Sequence, residues 1–318
     1  MDKPAALTLW KTVRYSAEFA AFFSFMAFFR LLGIDAASAV GGFIGRHIFY
    51  RLPPVKTARE NLRAAYPGMS EAEIEKTVRE MCDNLGRVVG EYPHLDKLKL
   101  GTRIEMVGKE IGDAAVASGK GVMFISGHLA NWETMPATAG QLGYDGGLVY
   151  RPPNNPFVAR WLSSRRAAVG PKEQISKGAH GTRRIFTLLR RGKAIFLLID
   201  QKTAEGVPAP FFGREAMTTN APAFLALKLG SLLLPASSER LGGAHFRVRI
   251  YPPVEFSPTG DQERDVLALT VKITQVMEAL VREHPSQWLW IHRRWPKPLP
   301  QALGGAAVSV ASDGSSLS

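Results

Sequence analysis

The first strongly apolar segment of the chain, residues 19–29, reads FAAFFSFMAFF and is apolar on every face of a helix. Its uncharged core has eleven residues, whereas a helix that spans a bilayer needs about 20. Arg14 and Arg30 flank it and can extend toward lipid headgroups. A cleaved signal peptide is the poorer interpretation, because Arg30 interrupts the apolar region. We therefore predict a membrane anchor that either spans the bilayer or lies at its surface.

The helical pattern continues beyond this anchor. GGFIGRHIFYRLPPVK predicts a second membrane-facing helix that ends at Pro53-Pro54. Residues 57–92 place apolar residues at helical spacing on both sides of a break at Pro67-Gly68, which predicts a helical pair. We therefore assign residues 1–54 to an N-terminal membrane-associated helical region.

From about Ile104 the apolar residues form short runs, GVMFIS, GGLVY, KAIFLLID and SLLLPAS, which predict strands. HFRVRIYPPVEF alternates apolar with polar residues, as in a strand with one wet face. The predicted helices cover residues 131–141, 156–168, 181–191, 219–230 and 261–283. Strands that alternate with helices indicate an α/β fold with a central mixed, mostly parallel sheet flanked by helices. This domain would cover residues 55–298 and include the helical pair, and residues 299–318 would form a flexible tail.

Composition and charge narrow the kind of partner. The net charge of +12 favours nucleic acid, an anionic membrane or a phosphorylated substrate. Residues 151–193 contain eleven Lys or Arg and one acid, Glu173. The single cysteine, Cys82, excludes an internal disulfide, and neither HExxH nor another metal-ligand spacing is present. No metal and no cofactor are predicted.

The segment GVMFISGHLANWETMP places two candidate catalytic side chains, His128 and Glu133, just beyond a predicted strand. Five positions on one helix correspond to about 500° of rotation, so the two side chains would not share a helix face. They can meet if His128 lies on the turn and Glu133 in the first helical turn, with Asn131 as the helix cap. We also count Asn131 among the candidate substrate-binding residues. Glu133 would then orient the imidazole as a base. A histidine near a helix start, with Glu133 favoured by the helix dipole, is the structural alternative.

Three later segments supply candidate binding residues. In VYRPPNNP two prolines stiffen a loop that presents Arg151 and Asn154, and in FLLIDQK Asp200 and Gln201 end a buried strand. WLWIHRRW interleaves tryptophans with cations, which suggests stacking on nucleic acid or contact with a membrane interface. The candidates in this last segment are His292, Arg293 and Arg294.

Taken together, SGHLANWE, YRPPNNP, DQK, APFFG and WLWIHRRW occur in an order that resembles the bacterial lipid A biosynthesis acyltransferases, within the lysophospholipid acyltransferase superfamily. RENLRAAYPGMSEAE and NLGRVVGEY also fit the N-terminal region of that family, so the resemblance covers about residues 10–297. It implies an enzyme at the cytoplasmic face of the bacterial inner membrane, whose HxxxxD/E pair corresponds to His128 and Glu133. An FPEG-like phosphate motif of glycerol-phosphate relatives is absent, and IDQKTAEG stands in its place.

The resemblance implies that an acyl chain moves from acyl carrier protein or acyl-CoA to a glycolipid hydroxyl. His128 would remove the proton from the hydroxyl, and backbone N–H groups of residues 131–133 would stabilise the oxyanion. Arg151, together with arginines at 165, 166, 183 or 184, would bind acceptor phosphates, while other surface cations would contact an anionic membrane. Acylation of a phosphatidylinositol mannoside is the alternative reaction. A nucleic-acid-binding protein would not account for His128 with Glu133 or for Asp200-Gln201, so no nucleic-acid partner is predicted. A non-catalytic lipid-binding scaffold is a further alternative, against which the retained motif residues argue.

Overall fold

The computed structural model describes residues 8–296, in which a helical N-terminal part precedes a region where strands and helices alternate. The α-helices are α1 (Leu9–Leu31), α2 (Ile34–His47), α3 (Pro54–Ala65), α4 (Glu71–Glu91), α5 (Lys109–Ala117), α6 (Thr134–Gln141), α7 (Pro156–Val169), α8 (Ala179–Arg190), α9 (Ala221–Leu229) and α10 (Gln262–Glu283). The strands are β1 (Ile104–Val107), β2 (Val122–Ser126), β3 (Gly146–Tyr150), β4 (Glu173–Ser176), β5 (Ala194–Leu198), β6 (Val207–Phe211), β7 (Arg214–Thr218), β8 (Leu232–Gly242) and β9 (His245–Ile250). The predicted tail at residues 299–318 lies outside the described residues.

The central sheet has seven strands in the order β1-β9-β8-β2-β5-β3-β4. Neighbouring strands run parallel except for β8 and β9, which form an antiparallel pair. Helices cover both faces of the sheet, so the predicted α/β class with a mostly parallel sheet is confirmed. Strand β2 lies at the centre, between β8 and β5, and all five of its residues are buried.

The predicted helices of this region are present, with boundaries that shift by a few residues. The largest shift is at α6, which begins at Thr134 and not at residue 131, because the preceding residues form a loop. The hairpin of β6 and β7 was not predicted. Pro208 and Pro210 lie in β6, and prolines argue against a strand unless it lies at an edge, as it does in this two-stranded sheet.

Helices α2 and α4 pack with their backbones in close contact through glycines at the interface. A Cβ atom added at Gly86 would lie 2.0 Å from the carbonyl oxygen of Gly41, and one added at Gly45 would lie 2.0 Å from that of Cys82. The segment GGFIG was part of the predicted membrane-facing helix. Its glycines Gly41 and Gly45 instead lie at the contact between α2 and α4. This contact joins the N-terminal segment to the α/β domain.

The three tryptophans of WLWIHRRW belong to the protein core. Trp288, Trp290 and Trp295 are buried, and they pack with Phe211 and Phe212 of the hairpin. Burial removes them from contact with nucleic acid or a membrane interface, so the interpretation of these residues as a stacking or interfacial surface is wrong.

Helix α1 presents large apolar side chains to the surface. Phe23, Phe25 and Phe28 are 48%, 42% and 49% exposed, whereas Phe29 is buried against the rest of the protein. Near the end of α2, Phe43 also remains exposed. Within residues 8–296, no helix combines the length and the apolar character needed to cross a membrane.

The contact between α2 and α4 predicts that Gly86→Ala destabilises the protein, because the new methyl group cannot fit against the backbone of Gly41. We expect a loss of about 1–3 kcal/mol in the free energy of unfolding, as for other overpacked sites. Chemical denaturation measures this loss. The matched control is Gly68→Ala, since a Cβ at Gly68 meets no atom within 4 Å. Equal stability of the two variants would contradict the packing argument.

Candidate functional site

His128 and Asp200 meet at the carboxyl edge of the sheet because their strands are neighbours. β2 and β5 pair in parallel with Ser126 opposite Leu198, and each candidate residue lies two positions beyond these strand ends. The imidazole Nδ1 of His128 donates a hydrogen bond to Asp200 Oδ1 at 2.8 Å. The backbone N–H of His128 donates to Asp200 Oδ2 at 2.7 Å. The carboxylate thus fixes both the backbone and the ring of His128.

Asp200 is buried, but hydrogen-bond donors of the protein satisfy its carboxylate. Besides His128, the indole Nε1 of Trp288 donates to Asp200 Oδ2 at 2.7 Å. Burial alone would raise the pKa of Asp200, but the charge of His128 and these donors outweigh burial and bring the pKa to about 2. Asp200 is therefore ionised at neutral pH. An ionised carboxylate at Nδ1 favours the neutral imidazole tautomer that carries its proton on Nδ1 and leaves Nε2 as a base.

The second ring nitrogen of His128 points toward polar and aromatic neighbours. The side-chain amide nitrogen of Gln201 lies 3.4 Å from His128 Nε2. The ring of Trp132 lies edge-on to the imidazole, with centroids 5.1 Å apart, and the ring of His292 lies 6.2 Å away. Loss of solvent around its ring is the main cause that lowers the pKa of His292 below its ordinary value.

Glu133 does not contact the imidazole in the structure, contrary to the predicted hydrogen bond. Its carboxylate accepts hydrogen bonds from Arg166 of α7, from Nε at 2.9 Å and from Nη2 at 2.5 Å. Both side chains are mostly buried, and the Arg166 guanidinium packs against the rings of Tyr92 and Tyr150. Five residues of separation bring Glu133 to the same cavity as His128, but the strand neighbour Asp200 occupies the Nδ1 position that was expected for Glu133.

Asn131 lies in the interior and organises the loop between His128 and α6. Its Oδ1 accepts a hydrogen bond from the backbone N–H of Glu133 at 3.1 Å, and its backbone oxygen accepts one from the N–H of Thr134. Its Nδ2 donates to Glu91 at 2.8 Å. Asn131 therefore caps the turn before α6, and its complete burial contradicts its prediction as a substrate-contacting side chain. The N–H of Glu133, which was predicted among the oxyanion donors, is already engaged by Asn131.

A cavity of about 230 Å³ opens beside His128. Its polar lining includes three cations, Arg151, Arg166 and Lys177, together with Glu133 and Gln201. Aliphatic side chains of β3 and β5 complete the wall. Arg151 thus lies where the sequence placed it. Lys177 was missed, because a lysine in a generally basic segment carries no local signal that it faces a cavity.

The remaining predicted binding residues lie elsewhere. Asn154 is exposed, whereas its neighbour Asn155 is buried, caps α7 and donates a hydrogen bond to the backbone oxygen of Tyr15. Arg293 lines a different surface groove, near Glu60 of α3. Arg294 is buried, and it donates hydrogen bonds to Met217 and Thr218 of β7.

These positions correct the prediction that Arg293 and Arg294 belong to the site with His128. Arg293 faces the side of α3, and Arg294 serves the packing of the hairpin against the core. Burial lowers the pKa of Arg294 to about 10, which still leaves it charged at neutral pH. Residues that are adjacent in WLWIHRRW thus point in different directions, because the segment has no regular spacing that would assign them to one face.

The lowered pKa of Asp200 predicts a specific loss of stability in acid. Its pKa in the folded protein lies below the ordinary value of 3.8, so its stabilising contribution is complete above about pH 4 and is lost as the pH falls toward 2. The free energy of unfolding of the wild-type protein should therefore fall by about 2 kcal/mol relative to Asp200→Asn between pH 5 and pH 2. Urea unfolding at a series of pH values measures this difference. A difference that does not change with pH would contradict the ionised state of Asp200.

Comparison with known proteins places this geometry in a family. Residues 8–297 match the family described as bacterial lipid A biosynthesis acyltransferase. The chain is 27% identical to the lipid A biosynthesis palmitoleoyltransferase of Escherichia coli, over 75% of this chain and 77% of that protein. It is 26% identical to the lauroyltransferase of the same organism, over 78% and 80%. It is also 24% identical to the phosphatidylinositol mannoside acyltransferase of Mycobacterium tuberculosis, over 81% and 82%.

The family match covers all the described residues, including His128, Glu133, Arg166 and Asp200. The resemblance inferred from the five motifs is therefore confirmed. The chain belongs to the bacterial lipid A biosynthesis acyltransferase family, and it is an acyltransferase.

Proposed function

We propose that the protein transfers a fatty acyl chain from an acyl thioester to a hydroxyl group of a lipid A precursor, with His128 as the general base. The observation that carries this proposal is the hydrogen bond from His128 Nδ1 to the ionised Asp200. This hydrogen bond occupies Nδ1, so Nε2 is the nitrogen that would accept a proton beside a cavity that cations line. The similarity to the two lipid A acyltransferases of Escherichia coli supports the choice of acceptor.

In the proposed reaction, His128 Nε2 takes the proton of the acceptor hydroxyl as the oxygen attacks the thioester carbonyl carbon. The carbon–sulfur bond then breaks, and the imidazolium returns the proton to the leaving thiolate. Asp200 stabilises the imidazolium that forms between these steps, as the third member of a catalytic triad does. The side-chain amide of Gln201 lies next to the same nitrogen and would give way to the acceptor hydroxyl.

Glu133 takes a different part in this proposal from the one that the sequence suggested. It holds Arg166 through two nitrogen atoms, so the guanidinium faces the cavity in a fixed orientation. A fixed cation beside the attacked carbonyl stabilises negative charge as it develops on the oxygen. Arg166 would thus supply the oxyanion stabilisation that was expected from backbone N–H groups.

The cations at the cavity also suit the acceptor. Phosphates and sugar carboxylates of a lipid A precursor would pair with Arg151 and Lys177, which line the wall on the side of β3 and β4. Arg184 is less suitable, because it forms an ion pair with Glu173. The donor would be acyl carrier protein or acyl-CoA, since either provides the thioester.

We propose that the site works at the inner-membrane surface on the cytoplasmic side. The exposed phenylalanines of α1 form an apolar surface of the kind that inserts into a lipid interface. The same helix packs on α7, where Phe22 contacts Trp161 and Phe19 contacts Phe157. Because α7 also carries Arg166, this contact would bring the cavity close to the lipid.

His128→Ala should lower the rate of acyl transfer by roughly 10²–10⁴-fold, because the hydroxyl loses its positioned base. The assay measures acyl addition to a purified lipid A precursor by mass spectrometry, with acyl carrier protein and coenzyme A thioesters in parallel reactions. His180→Ala, which removes an exposed histidine of α8, is the matched control and should keep wild-type activity. Wild-type turnover in the His128→Ala variant would overturn the assignment of the base.

The same assay distinguishes the acceptors when a phosphatidylinositol mannoside replaces the lipid A precursor. The similarity to the mycobacterial enzyme makes this acceptor the specific alternative. Transfer to the mannoside alone would replace the proposed acceptor and leave the proposed chemistry of His128 intact.

Replacing exposed apolar residues of α1 with acids should weaken membrane attachment. The double variant Phe23→Glu/Phe28→Glu should bind vesicles of phosphatidylethanolamine and phosphatidylglycerol at least about 10-fold more weakly, since two aromatic side chains leave the lipid. Vesicle sedimentation measures the bound fraction. Leu241→Glu introduces an acid at an exposed apolar residue of β8 and is the control. Equal binding of both variants would contradict the proposed orientation.

A further inference from the structure

A buried ion pair connects the N-terminal helices to the sheet beneath residues 127–133, the segment between β2 and α6 that we call the active-site loop. Arg240 of β8 donates hydrogen bonds to Glu91 of α4, from Nη1 at 2.5 Å and from Nη2 at 3.1 Å. The Glu91 side chain is 0% exposed and the Arg240 side chain is 8% exposed. Ser38 of α2 donates a further hydrogen bond to Glu91 at 2.7 Å. Neither charged residue lines the cavity beside His128.

The ion pair reaches the active-site loop through two asparagines. Asn131 donates a hydrogen bond to Glu91 Oε2 at 2.8 Å. On the other side of the guanidinium, Arg240 Nε donates to Asn84 Oδ1 at 2.8 Å. The Nδ2 of Asn84 in turn donates to the backbone oxygen of Ala130 at 3.0 Å. Arg240 therefore fixes both side chains that hold residues 130 and 131 of the loop.

The loop needs such support because its backbone is strained at Ala130. This residue has φ = 46°, a left-handed conformation that is uncommon for residues other than glycine. Its backbone N–H donates to the oxygen of Gln287 at 2.9 Å, so both of its backbone groups are held from outside the loop. A conformation of this kind persists when the surrounding structure over-determines it.

We propose that Arg240, Glu91 and Asn84 are positioning residues that set the distance between His128 and the Glu133–Arg166 pair. Asn131 links these residues to Glu133, because its Oδ1 accepts a hydrogen bond from the backbone N–H of Glu133. His128 is fixed separately by Asp200 at the other end of the loop. The expected effect of these residues on the reaction rate rests on the proposed acyl transfer. Their expected effect on the geometry of the loop does not depend on that function.

Stability alone gives little reason for such an ion pair. Replacing a buried ion pair by apolar residues of similar size is often neutral or stabilising, whereas removing one partner leaves a costly unpaired charge. A pair of apolar residues could therefore hold α4 against β8, but it could not accept the amide hydrogen of Asn131 or bind Asn84. Apolar packing could not replace the hydrogen bonds by which Glu91 and Arg240 hold the loop.

The test compares the double variant Glu91→Leu/Arg240→Met with Ser38→Ala in the full-length protein. The double variant removes the hydrogen bonds that Glu91 makes with Asn131 and Arg240 with Asn84, without leaving an unpaired charge. Ser38→Ala removes a hydrogen bond to Oε1 of the same carboxylate, whereas the loop residue Asn131 binds Oε2. Hydrogen–deuterium exchange of residues 127–134, the thermal midpoint, and kcat and KM for acyl transfer are measured for each variant.

The double variant should fold, exchange amide hydrogens in residues 127–134 at least about 10-fold faster, and lose about 10–100-fold in kcat. A displacement of about 1 Å at a catalytic group is sufficient for such a loss. KM should change by less than about 2-fold, since the cations of the cavity remain. Ser38→Ala should match the wild-type protein in exchange and in kcat.

Wild-type exchange and kcat in the folded double variant would overturn the proposal. An equal loss of kcat in Ser38→Ala would assign the effect to general destabilisation and would overturn it as well. If the double variant does not fold, Asn84→Ala takes its place, because it removes the hydrogen bond to Ala130 and leaves the ion pair. If the wild-type protein transfers no acyl chain to the lipid A precursor, the proposed function fails, and the exchange measurement still decides the positioning role.

Discussion

The geometry of the site depends on one buried carboxylate, Asp200, which binds the backbone N–H and the ring Nδ1 of His128 at the edge of the sheet. A buried carboxylate is costly unless donors satisfy it. Here His128 and Trp288 supply those donors, and the resulting pKa of about 2 keeps the carboxylate charged. The same interaction therefore fixes the backbone just beyond β2 and, in the proposed function, determines which imidazole nitrogen acts as the base.

A second set of polar contacts fixes the opposite end of the active-site loop. The Glu133–Arg166 pair lies between α6 and α7, and Asn131 ties its position to Glu91 beneath it. The loop between His128 and α6 is thus held at both ends by buried carboxylates, and each carboxylate is satisfied by several donors. This arrangement holds His128 and Arg166 at one cavity although residues 127–133 form no regular element.

The N-terminal helices take part in the site, because α4 provides Glu91 and the glycine contact holds α2 against α4. Helix α1 in turn contacts α7, which provides Arg166. A helical region with exposed apolar side chains therefore packs directly against elements that carry the candidate site. In the proposed function, this packing would place the cavity where a lipid-borne acceptor can reach it.

The sequence by itself determined the α/β class, most of the helices and strands, and the location of His128 and Asp200 at strand ends, because these features follow from local periodicity. It did not predict that His128 and Asp200 contact each other, because the arrangement that makes β2 and β5 neighbours in the sheet is not a local property. Only the tertiary structure decided that Glu133 binds Arg166 and that the tryptophans are buried. It also decided that Arg293 and Arg294 lie away from the cavity beside His128. Buried partners such as Glu91 and Arg240 are 149 positions apart and carry no local signal, so only packing could bring them together.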